Sequence, residues 1–152
     1  AGALFRAHRD IVDMGTVGGD QRVTFCDAAV FPLEQAVGHG DGRALARELV
    51  SRWISTHGRW QLPSWRVDFL GRRLTNWLVN FDYLSAGEGA FETALLCSAA
   101  KQARHLIRIV AHPKDGSQRL QAIKGLIYCG VCLPGFDAAL ERGLKRLGRE
   151  VD

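Results

Sequence analysis

The stretch Trp65-Arg-Val-Asp-Phe-Leu-Gly-Arg-Arg-Leu-Thr-Asn-Trp-Leu-Val-Asn-Phe-Asp-Tyr-Leu84 decides how the chain is read. At about 100° per residue, Val67, Leu70, Leu74, Trp77, Leu78, Phe81 and Leu84 fall within an arc of roughly 120°. That is the core stripe of an amphipathic helix, and the spacing predicts a helix over about 64–83. The opposite arc is unusual. It carries Arg72, Arg73, Asn76 and Asn80, interleaved with Trp65, Phe69 and Tyr83. A merely solvated face would be Glu, Lys and Gln. Rings that stack on a pyranose, amides that bond hydroxyls and guanidinium groups that pair with carboxylate are the side chains that bind acidic sugars. The same residues also suit a helix covered on both faces, with Arg and Asn on the carbonyls of neighbouring helices. Two readings therefore stand for Trp65, Arg72, Arg73, Asn76, Asn80 and Tyr83: the wall of a substrate-binding groove, or an inter-helix contact.

On either side of this stretch the pattern stays helical. Asp41 is a candidate N-cap for a helix running to about His57, with Leu45, Leu49 and Trp53 at i, i+4 and i+8 and Ala46, Val50 and Ile54 beside them. Gly58 stops it and Pro63 opens the next. After Gly87 and Gly89, a helix over about 88–111 carries Phe91, Leu95, Ala99, Ala103, Leu106 and Val110 at helical spacing, and Pro113 ends it. A fourth, over about 117–132, carries Leu120, Ile123, Leu126, Ile127 and Val131. A fifth, over about 136–150, carries Phe136, Leu140, Leu144, Leu147 and Val151. About five helices joined by short turns predict an all-α fold of antiparallel helical hairpins over residues 41–152. Residues 1–40 read as an irregular arm, with short helices over 3–14 and 28–37 and an extended piece over 23–26.

Length and composition bound the class. A chain of 152 residues supports one domain, and 47% apolar with 24% charged residues is ordinary globular chemistry. No apolar run reaches the roughly 18–20 residues of a membrane span, so no membrane partner is expected. The N-terminus lacks a signal-peptide pattern, which together with free thiols favours a cytoplasmic over a periplasmic setting. The net charge is +4, and 16 of the 20 basic residues are Arg. That excess fits a carboxylate, sulfate or phosphate partner, and it equally fits a GC-rich gene. No Lys/Arg block marks a nucleic-acid arm. Lys101, Arg104, His105 and Arg108 form a basic stripe, read first as a solvated helix face.

Cys129-Gly-Val-Cys132 is a CxxC, but it lies inside an apolar helical stretch with no strand before it. Cys26 and Cys97 are isolated, so no matched second pair completes a zinc site. The four cysteines read as small buried helix residues. Neither a GxGxxG, a P-loop, an HExxH nor a GxSxG occurs, and no cofactor is expected.

Ala46-Arg-Glu-Leu-Val-Ser-Arg-Trp-Ile54, followed by Trp65-Arg-Val-Asp-Phe-Leu-Gly-Arg-Arg-Leu-Thr-Asn-Trp-Leu78, resembles the N-terminal helical part of heparinase II/III-like proteins. Ala99-Ala-Lys-Gln-Ala-Arg-His-Leu106, Asp115-Gly-Ser-Gln-Arg-Leu120 and Lys124-Gly-Leu-Ile-Tyr-Cys-Gly130 are similar to the same region. The resemblance covers about residues 42–152. It implies an α/α toroid, here partial, followed by a β-sandwich domain, and a bacterial polysaccharide lyase acting by β-elimination on uronate-containing chains. No residue of this chain matches the family's catalytic motifs, so none is assigned a catalytic role. The chain is expected to be a fragment, inactive alone, whose partners are an acidic polysaccharide and the missing β-sandwich domain. The alternative is a non-enzymatic helical module that docks a protein or an anionic polymer.

Overall fold

The structure, a computed structural model, describes residues 42–111 and 116–151. The arm over 1–40, the proposed cap Asp41 and the turn residues Pro113 and Asp115 lie outside the described residues. Within them the protein is all-α, as its periodicity predicts. The helices are α1 (Gly42–His57), α2 (Val67–Val79), α3 (Phe81–Ser85), α4 (Gly89–Ile109), α5 (Gly116–Cys132) and α6 (Asp137–Val151).

The helix expected over 64–83 is two elements. Arg66 is extended, with φ −63° and ψ 146°, so α2 starts at Val67. Asn80, at φ −98° and ψ 17°, leaves the helical region, and α3 begins after it. The break is stitched from both sides: Asn80 N–H donates to Asn76 O at 3.1 Å, and Leu84 N–H donates to Asn80 O at 2.9 Å.

α2 is the centre of the domain and packs against α4 and α5. Val67, Asp68, Phe69, Leu70, Gly71, Arg73, Leu74, Thr75, Trp77 and Leu78 are all buried. A helix enclosed on nearly every side has no need of a plainly solvated face, which is why its pattern looks two-faced in sequence. Around it α1 contributes Ala46, Val50 and Trp53, and α4 contributes Leu95, Ala99, Ala103 and Leu106. Fully burying a leucine of this kind stabilises the fold by about 1.5–3 kcal/mol.

Two crossings are built on glycine. Gly71 of α2 faces Gly125 of α5, and a Cβ on Gly125 would sit 2.5 Å from the Gly71 Cα. A Cβ on Gly71 would strike the Gln121 carbonyl oxygen. Further along α5, a Cβ on Gly130 would sit 2.5 Å from the Leu140 Cβ, and one on Gly143 would sit 2.8 Å from the Ile127 Cγ1. With the Arg119–Glu150 ion pair at 3.0 Å, these contacts run α5 and α6 antiparallel.

The glycine contacts shift the buried faces of these helices: on α5 Ile123 and Leu126 stay inside as expected, while the ends of the expected stripe turn out. α5 buries Ala122, Ile123, Gly125, Leu126 and Cys129, while Leu120 and Val131 are exposed. α6 buries Ala139 and Gly143, while Leu144 and Val151 are exposed. On α1, Ala46, Val50 and Trp53 are buried as their spacing predicts, and Leu45 at the edge of the stripe is half out. Small residues let backbones approach, and dispersion between close backbones replaces the burial of a large side chain.

Candidate functional site

The six residues expected to line a groove divide between core and surface. Arg73 is fully buried. Its guanidinium lies 3.8 Å from the Trp53 ring centroid and 5.9 Å from that of Trp77. Its Nε donates to Gln102 Oε1 at 2.7 Å and its Nη2 to the Ser64 carbonyl at 3.1 Å. Gln102 Nε2 continues the chain to Ser98 Oγ at 3.1 Å. Trp53 and Trp77 meet edge to face at 5.3 Å. Their indole N–H groups find no acceptor among the described residues, so stacking is the polar contact these rings make there.

Trp65 is also buried, at 3% exposure. Its indole N–H donates to the His57 carbonyl at 2.8 Å, and its ring meets His105 edge to face at 5.3 Å. Arg72, Asn76, Asn80 and Tyr83 form a half-buried strip along α2 and α3. Within it, Asn80 Nδ2 donates to the Asn76 carbonyl at 2.9 Å, and the Arg43 guanidinium lies 5.0 Å from the Tyr83 ring centroid. So the six residues do not share one open surface. Trp65 and Arg73 join α1, α2 and α4 from within, and the other four lie along the outside of that junction.

Among the described residues, Cys97 is exposed rather than buried as expected, and Cys129, Cys132, His57 and His105 show no poised chemistry. Burial, with a smaller contribution from Cys132, pushes the Cys129 thiol up to about 12. Burial raises Cys132 as well. Neither sulfur is held as the thiolate that redox or metal chemistry needs. His57 is lowered by burial and then by the nearby Arg73 charge, and His105 by burial and then by Arg108. Burial pushes Asp68 up, yet the Arg66 hydrogen bonds at 2.8 and 2.6 Å, the Arg66 charge and backbone N–H groups outweigh it and hold the carboxyl low. Among the described residues no group of three or more His, Cys, Asp or Glu is placed to hold a metal ion.

What the helical pattern did not reveal is a surface feature on the α1–α2 connection. Of the four tryptophans, Trp60 is the one on the outside, at 62% exposure, and Leu62 beside it is 68% exposed. This loop borders an open groove of about 590 Å³ between the end of α1 and the first half of α4. Ile54, Thr56, Arg59, Gln61, Cys97 and Lys101 are among its lining residues. On α4 the groove runs along Ala94, Cys97, Ser98 and Lys101, at i, i+3, i+4 and i+7. The small side chains of the first three leave the hollow, and Lys101 closes its end by donating to the Gly58 carbonyl at 2.5 Å. The visible signal was a tryptophan in a connection, next to a leucine and a proline, with no helical stripe to join.

Comparison with known proteins overturns the lyase expectation. No family model matches the chain, and no solved structure matches it. The heparinase II/III-like family is therefore not supported, nor are polysaccharide lysis and carbohydrate binding. The stretch that carried the resemblance is the most buried helix of the domain, so its Leu-Gly-Arg-Arg-Leu and Asn-Trp-Leu elements report tight packing rather than uronate chemistry. The chain is instead similar to FtsZ-localized protein C of Caulobacter vibrioides (strain NA1000 / CB15N), with 29% identity over 113 residues. The aligned part is 74% of this chain and 19% of that protein, so the chain spans about a fifth of its relative's length.

Proposed function

We propose that this chain is a helical docking domain of a protein that works beside FtsZ in cell division. The observation that carries the reading is the similarity to FtsZ-localized protein C across 74% of the chain. The physical character of the domain supports it. The core is locked by glycine crossings and by the buried Arg73 stack, which makes a rigid scaffold. Chemistry-bearing side chains are used for packing, as with Arg73 on Gln102 and Cys129 deep in α5. The surface, by contrast, displays Trp60 and Leu62 on a loop beside an open groove, the arrangement of a binding face.

The test is localisation. A fluorescent fusion of the chain, imaged with labelled FtsZ in dividing bacteria, is expected to overlap the FtsZ signal at the division site. A diffuse signal, or one that forms elsewhere, rejects the reading.

A further inference from the structure

We propose that the α1–α4 groove and the Trp60 loop together form a docking site for an extended acidic peptide, with Trp60 and Leu62 as its apolar anchors. The inference rests on the docking reading above, but not on which protein carries the peptide.

Three observations converge on that occupant. The first is charge. Among the described residues, the lining includes Arg59 and Lys101 and no Asp or Glu. The acidic residues nearest in sequence on the two helices, Glu48 and Glu92, are not among them. A carboxylate entering the groove therefore meets two cations among the described lining residues, which steers and orients an acidic partner. Lys101 uses one of its three N–H donors on Gly58, leaving two for a ligand.

The second is shape. The Ala94, Cys97 and Ser98 stripe makes a shallow trough along one helix, flanked by the end of α1 and the loop. An extended chain fits a trough of this kind, with main chain along the hollow and alternate side chains on its walls. A lipid surface meets protrusions and leaves a concavity empty, so a membrane does not account for the trough.

The third is the pair of exposed apolar side chains. A tryptophan at 62% exposure and a leucine at 68%, two residues apart on one loop, lose free energy to water in the free protein. A ligand that covers them recovers it, and tryptophan is the residue type most enriched among binding hot spots. Neither Trp60 nor Leu62 lines the trough itself; they alternate along the loop with Arg59 and Gln61, which do, and so extend the site beyond its rim, while the exposed Leu144 and Val151 sit on α6 and serve as an internal control.

The experiment uses the whole 152-residue chain. A displayed library of random peptides of about ten residues is selected on the chain, and the best binder is labelled with fluorescein and titrated by fluorescence anisotropy. The expected winners carry at least two carboxylates and one aliphatic or aromatic residue. Trp60→Ala and Arg59→Glu, both at exposed positions, are each expected to weaken binding at least about tenfold with unchanged far-ultraviolet circular dichroism. Leu144→Asp is expected to leave it unchanged. A selection that yields no acidic peptides overturns the proposal, as does a winner bound equally by the Trp60→Ala and Arg59→Glu variants. It is also overturned if the chain pellets with phosphatidylglycerol vesicles and Trp60→Ala abolishes that binding, since the loop would then be a membrane contact. Overlap with FtsZ in cells alongside a failed selection rejects the groove and leaves the division reading standing. The opposite pair of results does the reverse.

Discussion

Trp53 and Trp60 lie seven residues apart and have opposite surroundings. Trp53, at the end of α1, is 1% exposed, with a guanidinium on its face and a second indole at its edge. Trp60, just past the end of that helix, is 62% exposed beside Arg59. Both regions consist of tryptophan, arginine and a glutamine, so residue types alone do not separate them. What separates them is whether a neighbouring helix supplies an acceptor for the arginine. Arg73 has the Gln102 side chain and the Ser64 carbonyl within reach, and the cation is drawn inside. Arg59 is left at the surface. The buried aromatic–arginine contact holds the scaffold, whereas Arg59 and Trp60 lie at the surface.

Four measurements bear on this contrast. The largest effect is expected from Trp53→Ala, which removes the ring beneath Arg73 and opens a cavity in the core. It should cost about 3–5 kcal/mol in urea unfolding. A cost like that of an exposed position would mean that Trp53 is not part of the scaffold. Next comes Gly71→Ala, whose new methyl meets the Gln121 backbone and forces α2 and α5 apart. A loss of about 1–3 kcal/mol is expected, although alanine is the better helix former. A gain in stability would show that the crossing is loose.

A third, smaller effect concerns pH and the residue between the two regions. His57 stacks on Trp53 at 5.9 Å and offers its carbonyl to Trp65. Its folded pKa lies below the ordinary 6.5, as does that of His105. The unfolded chain therefore binds protons first as the pH falls, and stability is highest above that value. It is expected to decline as the pH falls through the ordinary value of 6.5 towards the lowered folded values. Asp68, held low by Arg66, contributes only at more acid pH. The double variant His57→Gln, His105→Gln should flatten the decline, and an unchanged slope would remove the histidines from the account. The smallest effect is Trp60→Ala, expected to move the unfolding midpoint by no more than about 0.5 kcal/mol. A large loss there would place Trp60 in the core and erase the contrast.

Much of the fold was legible because helical periodicity is written in large apolar residues. Leu70, Leu74, Trp77 and Leu78 on α2 and Leu95 and Leu106 on α4 are buried as their spacing predicts. The reading failed where small residues do the packing. On α5 Ile123 and Leu126 are buried as expected, but Leu120 and Val131 there and Leu144 and Val151 on α6 face out, and the close contacts are made by Gly125, Gly130, Ala139 and Gly143. A glycine carries no hydrophobic signal, so a close crossing is invisible until its partner helix is in place. The split at Asn80 was hidden for a related reason, since Phe81 and Leu84 continue the α2 stripe across the break. The groove was missed because Ala94, Cys97 and Ser98 form a surface by being small, while Trp60 belongs to no periodic element. The arc on α2 was real as a pattern, but Arg73 and Trp65 point into the domain.

One contact of α1 ties together segments far apart in sequence. Arg47 donates from Nε to the Leu84 carbonyl at 2.5 Å, and from Nη2 to those of Ser85 and Ala86 at 3.2 and 3.1 Å. Its Nη1 lies 3.5 Å from Glu88. A single guanidinium thus gathers carbonyls at the end of α3 and the acid just ahead of α4. The turn over 85–88 has backbone hydrogen bonds of its own, Ala86 N–H to Asp82 O and Glu88 N–H to Ser85 O, and α1 adds its anchor to the rest of the domain. When α1 comes away, this turn loses its anchor in the same event. The hairpin between α3 and α4 therefore belongs to the cooperative opening unit of α1, not to a separately fraying loop.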